Sequence, residues 1–446
     1  MPLRTKVREY QELKHEFNRL IGPVHFDKNI NLKLERITHL LDLIGNPHNS
    51  FPSIHISGTS GKGSTASMAA RILSFAGYKT GLHISPHLQI INERFQINGK
   101  MVDSHKLLNL FNKLKPAIAE VAEKNPFGQP SYFEVQVALA FSLFKEEGVD
   151  IAVVEVGLGG KLDATNVLNA QVAVITNIGL DHTHILGDTV ELIAQDKSGI
   201  IKPGQYVISG ATQPTTKQII ADRCKSQNAT LWQFGEQINL KNGKDDEKFS
   251  LTTPGRVYTD LQITVPGNFQ VKNAACALAA VHAFDPSIPD STIQESLKSF
   301  FIPGRMEIVQ VEPTIILDGA HNPNKIKAAS DALQKHFPDK KRIVIFALKK
   351  GKAYKDVLAL IVENTETIII TEFVTELWDP YEPEFLKNEA KKIKPDLDIR
   401  IQQDSASALD LAKSLANQDD IILVTGSLYL VGNMRFHWFP LEKILN

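Results

Sequence analysis

Ser53-Ile54-His55-Ile56-Ser57-Gly58-Thr59-Ser60-Gly61-Lys62-Gly63-Ser64-Thr65 is the stretch that decides how this chain reads. An alternating apolar run enters a glycine-rich turn; a lysine, small hydroxyl residues and an apolar segment to Ala76 follow. That order predicts a strand, a loop and the start of a helix. Glycines let the backbone curl so that successive N–H groups point inward, and the helix N-terminus adds its positive end. A lysine at this place brings a mobile positive charge to the outer phosphates of a nucleotide. The common G-x-x-x-x-G-K-[ST] spacing is not met: Ile56 stands where its first glycine belongs, and Gly63 follows the lysine. The form present is the shorter G-T-x-G-K-G-S-T. Gly58 to Thr65 are therefore expected to hold phosphate.

Working outward, 446 residues are long for a single core, which predicts two domains, 1–299 and 300–446. A net charge of −1 with 22% charged residues offers no nucleic-acid or anionic-membrane surface. Cys224 and Cys276 lack metal-type spacing and make no disulfide framework. Arg4, Lys6, Arg8, Glu9 and Glu12 leave no apolar core for a signal peptide. No apolar run approaches the ~18 residues of a membrane span. The expectation is a cytoplasmic protein.

The first 50 residues read as helical, with Ile30, Leu34, Ile37, Leu40, Leu41 and Ile44 at helical spacing and Gly45-Asn46-Pro47 as the stop. The helix after the glycine loop carries Met68, Ala69, Ile72, Phe75 and Ala76, a pattern buried on more than one side. Strands are predicted at Thr80 to Ile84, at 151–156 and at Val172 to Thr176. Helices are predicted over 104–123, over 189–198, and from Ser131. There Ser131 and Glu134 make a capping box, and Phe133, Val137, Phe141 and Phe144 share a face. From about 205 to 265 the pattern is one of short strands and turns, with Lys241 to Lys248 as an exposed hairpin loop. An alanine-rich helix follows Gln270 to Asn273. Beyond Pro303-Gly304-Arg305, strands near 315–317, 343–347, 367–371, 398–402 and 421–425 alternate with helices. The fold class is α/β: a P-loop N-terminal ATPase domain with a parallel sheet plus a small β region, and a smaller Rossmann-like C-terminal domain.

Phosphoryl transfer needs Mg²⁺ to bridge and neutralise phosphate oxygens. Ser85, Glu155 and His182 lie at three strand ends that converge if the strands share a sheet. A hydroxyl and a carboxylate suit so hard a cation; a histidine is less usual. Each also has a plainer reading, Ser85 as a turn residue before proline, Glu155 as an arginine's partner, His182 as a core histidine. His182 and His184 alone make a poor zinc site. Lys197 reads equally as a solvated helix lysine, and Arg305 as a phosphate clamp or a linker residue. Asp318-Gly319-Ala320-His321-Asn322-Pro323 ends a strand before a helix, where ligands collect in open α/β sheets. Gly157-x-Gly159-Gly160 is not a dinucleotide loop, because residue 162 is leucine and no helix follows at once.

Taken together, these segments resemble the Mur ligase superfamily, and within it the folylpolyglutamate synthase/dihydrofolate synthase family. The resemblance is carried by the glycine loop, Ser85-Pro86-His87-Leu88, Asn92-Glu93-Arg94, Glu155 to Asn166, Asp181-His182 and Lys197-Ser198-Gly199-Ile200. Gln270-x-x-Asn273, Pro303-Gly304-Arg305-Met306-Glu307, Asp318 to Pro323 and Thr425-Gly426-Ser427-Leu428-Tyr429 continue it. It implies that Thr59, Ser60, Gly61 and Lys62 hold ATP phosphates, with Asn273, Arg305 and Asp318 as further ATP contacts. It makes Ser85, Glu155 and His182 the Mg²⁺ ligands and Lys197 a lysine carbamylated by CO₂. An ammonium there would repel metal, whereas a carbamate is a carboxylate-like ligand. Leu162, Asp163, Ala164 and Thr165 resemble the pterin-binding part of the family loop, and His321 lies close to the chemistry. Ser60, Lys161 and Phe269 depart from the commoner asparagine, arginine and histidine.

The implied activity is ATP-dependent addition of L-glutamate to dihydropteroate and to tetrahydrofolate, through an acyl phosphate, by a monomer. Lys62, Lys197, Arg305 and His321 are its expected catalytic residues. The alternatives are a monofunctional folylpolyglutamate synthase, another Mur-type ligase and a P-loop switch. The chain has no Asn-Lys-x-Asp guanine motif, and a switch would leave Asp318 and His321 unexplained.

Overall fold

Every residue of Ser53–Ser57, Ile151–Glu155 and Val172–Ile175 is buried, the condition of parallel strands covered on both faces. The computed structural model describes residues 2–20, 34–126, 128–243 and 248–446. Ile30, and residues 244–247 of the hairpin reading, lie outside the described residues. The chain divides into two units. The first comprises Met1–His87, Ile91–Thr264 and Asn268–Phe300; the second, Leu88–Ile90, Val265–Gly267 and Phe301–Asn446.

The first unit is built on β1 (Ser53–Ser57), β2 (Thr80–His83), β3 (Phe95–Ile97), β4 (Lys100–Met101), β5 (Ile151–Glu155), β6 (Val172–Ile175), β7 (Tyr206–Ser209) and β8 (Thr230–Gln233). Their order across the sheet is β4-β3-β2-β5-β1-β6-β7-β8. Six strands are parallel, and the β3–β4 hairpin, turning at Asn98 and Gly99, adds an antiparallel edge. In the register, Ile56 stands beside Glu155 and Ser57 beside Ile175. The C-terminal ends of β2, β5, β1 and β6 therefore adjoin along one sheet edge, the place where open α/β sheets bind ligands.

The helix Lys62–Phe75 packs on the helix Asn268–Phe284. Both helices carry buried alanines, among them Ala69, Ala70, Ala274 and Ala277. A smaller antiparallel sheet, ordered β11-β10-β9, consists of β9 (Asn239–Asn242), β10 (Lys248–Thr253) and β11 (Arg256–Gln262). The sequence pattern missed the helix Pro214–Ser226, which lies within the stretch read as strands and turns. It buries only Thr216, Ile220 and Cys224, so too few apolar positions repeat to announce it.

In the second unit β12 (Glu307–Val311), β13 (Thr314–Leu317), β14 (Arg342–Phe346), β15 (Thr367–Ile370), β16 (Asp398–Ile401) and β17 (Ile421–Thr425) are ordered β12-β13-β17-β14-β15-β16. Alternation along the strands sorts side chains to two faces. Ile316, Val344 and Phe346 pack with the helices Pro323–His336, Tyr354–Glu363 and Pro383–Ile393. Ile315, Ile343 and Ile345 pack with Ser405–Leu415 and Leu428–Arg435. The alternation of strands and helices in the sequence implies a parallel sheet for this unit. The structure adds β12, antiparallel to β13 at the edge, with Ile308 and Val311 exposed.

The predicted capping box is formed: Ser131 Oγ accepts the Glu134 N–H, and Glu134 Oε2 accepts the Ser131 N–H. Arg36 Nε also donates to the Glu134 carboxylate at 3.1 Å. Ser131→Ala is expected to lower stability by about 1 kcal/mol. Glu134→Ala, which removes the reciprocal cap and the Arg36 ion pair together, is expected to cost more than Ser131→Ala. Urea unfolding followed by circular dichroism measures both; equal losses would contradict the assignment.

Candidate active site

The helix Lys62–Phe75 begins at Gly61, whose φ of 81° lies in the left-handed region. A Cβ on Gly61 would stand 2.1 Å from Asn273 Oδ1, and one on Gly58 1.9 Å from Thr176 Oγ1. Both positions therefore admit glycine alone. The residues after β6 hold the loop from behind. The Thr59 N–H donates to Asn177 O at 3.1 Å and the Ser60 N–H to Asn177 Oδ1 at 2.9 Å. Thr176 Oγ1 donates to Ser60 O at 2.7 Å. Thr65 Oγ1 donates to Asn273 O at 3.4 Å, and Ser64 is buried beside it in the first helical turn.

Glu155 ends β5 and is only 4% exposed. Its Oε2 accepts the backbone N–H of Ser85 at 2.8 Å. A Cβ on Gly63 would approach the same oxygen to 3.2 Å. The glycine that departs from the common motif thus leaves the carboxylate free of crowding. Lys197 closes the helix Val190–Lys197 and is also 4% exposed. Burial, reinforced by the charge of Lys62, pushes its ammonium down to about 7. Asp196, Asp181 and Asp163 oppose that shift. His182 has a φ of 51° and sets Nε2 3.9 Å from Asp181 Oδ1.

Among the described residues no three His, Cys, Asp or Glu side chains stand together as a metal cage. The donors do fit a hard divalent cation: a buried carboxylate, the serine bonded to it, and a buried amine able to become a carbamate.

The glycines after β5 serve close packing. A Cβ on Gly159 would meet Asp196 Oδ2 at 2.3 Å, and one on Gly160 would meet Lys197 Cα at 2.8 Å. Asp163 is buried, which raises its carboxyl above the usual carboxylate range against the pull of Thr165 and the backbone N–H groups it accepts. Its oxygens take the N–H groups of Leu158 and Thr165 and the Thr165 hydroxyl. Thr165 Oγ1 also meets His55 Nε2 at 2.8 Å. Asp163 and Thr165 therefore shape the loop; Ala164 is buried and Leu162 is 41% exposed. Phe133, given only a packing role by the sequence, stands 2.5 Å from a Cβ placed on Gly157.

In the second unit, Arg305, Asp318 and His321 gather at the end of β13. Asp318 accepts the N–H groups of Met306 and Ala320, each at 2.9 Å. Burial raises its carboxyl, and the neighbouring Arg305 opposes the rise. Arg305 Nη1 would lie 2.5 Å from a Cβ on Gly319. His321 Nδ1 faces Gly319 O at 3.1 Å, and Asn322 caps the next helix. Sequence reasoning gave no role to Thr176, Asn177 or His55. Asn177, directly after a predicted strand, carried the one usable signal.

A phosphate cradle on a parallel sheet, facing a buried carboxylate, followed by a second α/β unit, is the plan of an ATP-dependent ligase. Residues 56–281 match the Mur ligase middle domain, and residues 304–428 match the Mur ligase, glutamate ligase domain. Dihydrofolate synthase/folylpolyglutamate synthase of Bacillus subtilis is 31% identical over 414 residues, covering 90% of this chain and 94% of that protein. The structure of Mycobacterium tuberculosis folylpolyglutamate synthase with ADP and AMPPCP aligns with a TM-score of 0.88 at 29% identity, covering 97% of this chain and 99% of that one. The bifunctional enzyme of Yersinia pestis, complexed with AMPPNP and a Mn ion, aligns at 0.82 with 27% identity and 98% of each chain. The chain belongs to the Mur ligases and, among them, to the dihydrofolate synthase/folylpolyglutamate synthase family.

Burial and the charge of Lys202 push the His55 imidazolium down to about 3. An unfolded histidine takes its proton near 6.5, so below that value the unfolded chain binds the extra proton. Stability contributed by neutral His55 is present above pH 6.5 and is lost as pH falls toward 3, at about 1.4 kcal/mol per pH unit. Urea midpoints measured across this window should fall less steeply in His55→Gln. Identical slopes would assign the effect to another group.

Proposed function

We propose that the protein adds L-glutamate to dihydropteroate and to tetrahydrofolate, with ATP as co-substrate. One observation carries the reading: the Gly58–Thr65 loop stands against the buried Glu155 carboxylate, with Lys62 near enough to Lys197 to depress its amine. ATP phosphates would lie on Thr59, Ser60, Gly61 and Lys62, with Asn273, Arg305 and Asp318 as further nucleotide contacts. An oxygen of the acceptor carboxylate attacks the γ-phosphorus, and the bond to the β–γ bridging oxygen breaks. An acyl phosphate and ADP result. Lys62 and Arg305 balance the charge of the transferring group. The unprotonated α-amine of glutamate then attacks the acyl carbon; the tetrahedral intermediate loses phosphate and a proton, leaving the amide. His321 is the second unit's candidate for contacting the reacting groups.

Ser85, Glu155, His182 and a carbamate on Lys197 would hold a divalent cation, Mg²⁺ in this reading, which supplies charge neutralisation at the phosphate oxygens. Carbamylation joins the neutral amine to CO₂ with loss of one proton, and an amine pushed down to about 7 is available for it near neutral pH. The Leu162–Thr165 loop would face the pterin. Among the described residues no helix is long and apolar enough to cross a membrane. We read the protein as a cytoplasmic monomer acting on small molecules.

Phosphate release with ATP, Mg²⁺ and L-glutamate tests the proposal. Turnover is expected with both dihydropteroate and tetrahydrofolate; turnover with tetrahydrofolate alone would mark a monofunctional polyglutamate synthase. Lys62→Ala should abolish activity, and near-normal rates would overturn its role. Lys197→Ala should lose about 100-fold or more. Acetate or another short carboxylate should restore part of that loss; no restoration would argue against a carbamate.

A further inference from the structure

Arg305 sits in a turn that its own residues do not favour. Gly304 has a φ of 67°, and Met306, which carries a side chain, has a φ of 48°. Two carboxylates hold this shape. Glu307 Oε2 accepts the Gly304 N–H at 2.7 Å, and Asp318 Oδ2 accepts the Met306 N–H. Glu307 is 4% exposed and Arg435, which grips it, is 9% exposed. Arg435 Nε donates to both Glu307 oxygens, at 3.0 and 2.9 Å, and Nη2 donates to Oε1 at 2.9 Å. Its Nη1 donates to Gln89 Oε1, and Gln89 Nε2 donates to Phe439 O at 3.1 Å.

One guanidinium thus joins the end of the helix Leu428–Arg435, the turn bearing Arg305, and the segment Leu88–Ile90 that continues from Ser85. Resting on the function proposed above, we infer that Glu307 and Arg435 are positioning residues: they fix the turn's backbone and so aim Arg305 at the nucleotide. The planar fork of an arginine sets the orientation of a carboxylate in a way a lysine does not. A buried pair with this geometry specifies where the turn lies, whatever it adds to stability.

A double-substitution cycle tests this, with circular dichroism as the check on folding. The readouts are kcat/KM for ATP and the Kd of a non-hydrolysable ATP analogue. Arg435→Lys, which keeps the charge and loses the fork, should weaken both by roughly 10- to 100-fold. In an Arg305→Ala background the same change should add less than about 2-fold, because the two residues act as a unit. Losses that multiply fully in both backgrounds would show a merely structural pair and overturn the inference. Glu307→Gln keeps an oxygen for the Gly304 N–H and breaks the charge pair; it repeats the cycle should Arg435→Lys not fold. A native chain inactive with every folate acceptor is the failure of the proposed function. An active native chain whose Arg435→Lys and Glu307→Gln variants are unaltered is the failure of this inference.

Discussion

A phosphate cradle works only while its backbone stays bent inward, and here the bend is imposed from far along the chain. Thr176 and Asn177 brace the loop from the neighbouring strand end, and Asn273 stands where a side chain on Gly61 would be. A single hydrogen bond contributes only about 0.5–1.5 kcal/mol. The loop's shape therefore depends on sheet order. Only with β6 docked beside β1, and the alanine-rich helix against the Lys62 helix, do all the braces arrive together. The remaining site residues follow from that arrangement, since Ser85 and Glu155 end the strands on the opposite side of β1.

The same edge concentrates charge. Glu155 is buried and Lys197 is buried, and Lys62 lies close enough to lower the Lys197 amine. Taking such groups out of water is unfavourable unless partners meet them. Lys197 relieves part of the conflict by giving up its proton readily. A phosphate-bearing ligand would relieve more.

What could be read beforehand follows from how each feature is encoded. The buried strands were legible because apolar runs such as Ile151–Val154 have few other uses, and the Ser131–Glu134 cap because it is local. The helix Pro214–Ser226 was not, since one polar face dominates it. Nor was β12, an edge strand with two exposed apolar residues. In the site, the Gly58–Thr65 loop announced itself. Glu155 could be read as a carboxylate at the end of a buried strand, whereas Lys197 gained meaning only through resemblance, because a lone helix lysine carries no pattern. Thr176 bonds to the loop, and Arg435 to Glu307, across more than a hundred residues, and no local window holds that information.

The division of the chain has a consequence for modularity. Leu88–Ile90 and Val265–Gly267 count with the second unit although both interrupt the first in sequence. Within the second unit, Leu88 O lies where a Cβ on Gly432 would be, and Leu88 Cδ1 stands 3.2 Å from a Cβ on Gly304. The two units are consequently threaded through each other's sequence rather than strung on a tether. A cut at residue 300 would strip the carboxyl-terminal fragment of residues it packs against and leave them dangling on the other piece. Domain shuffling, in evolution or at the bench, has no clean seam here.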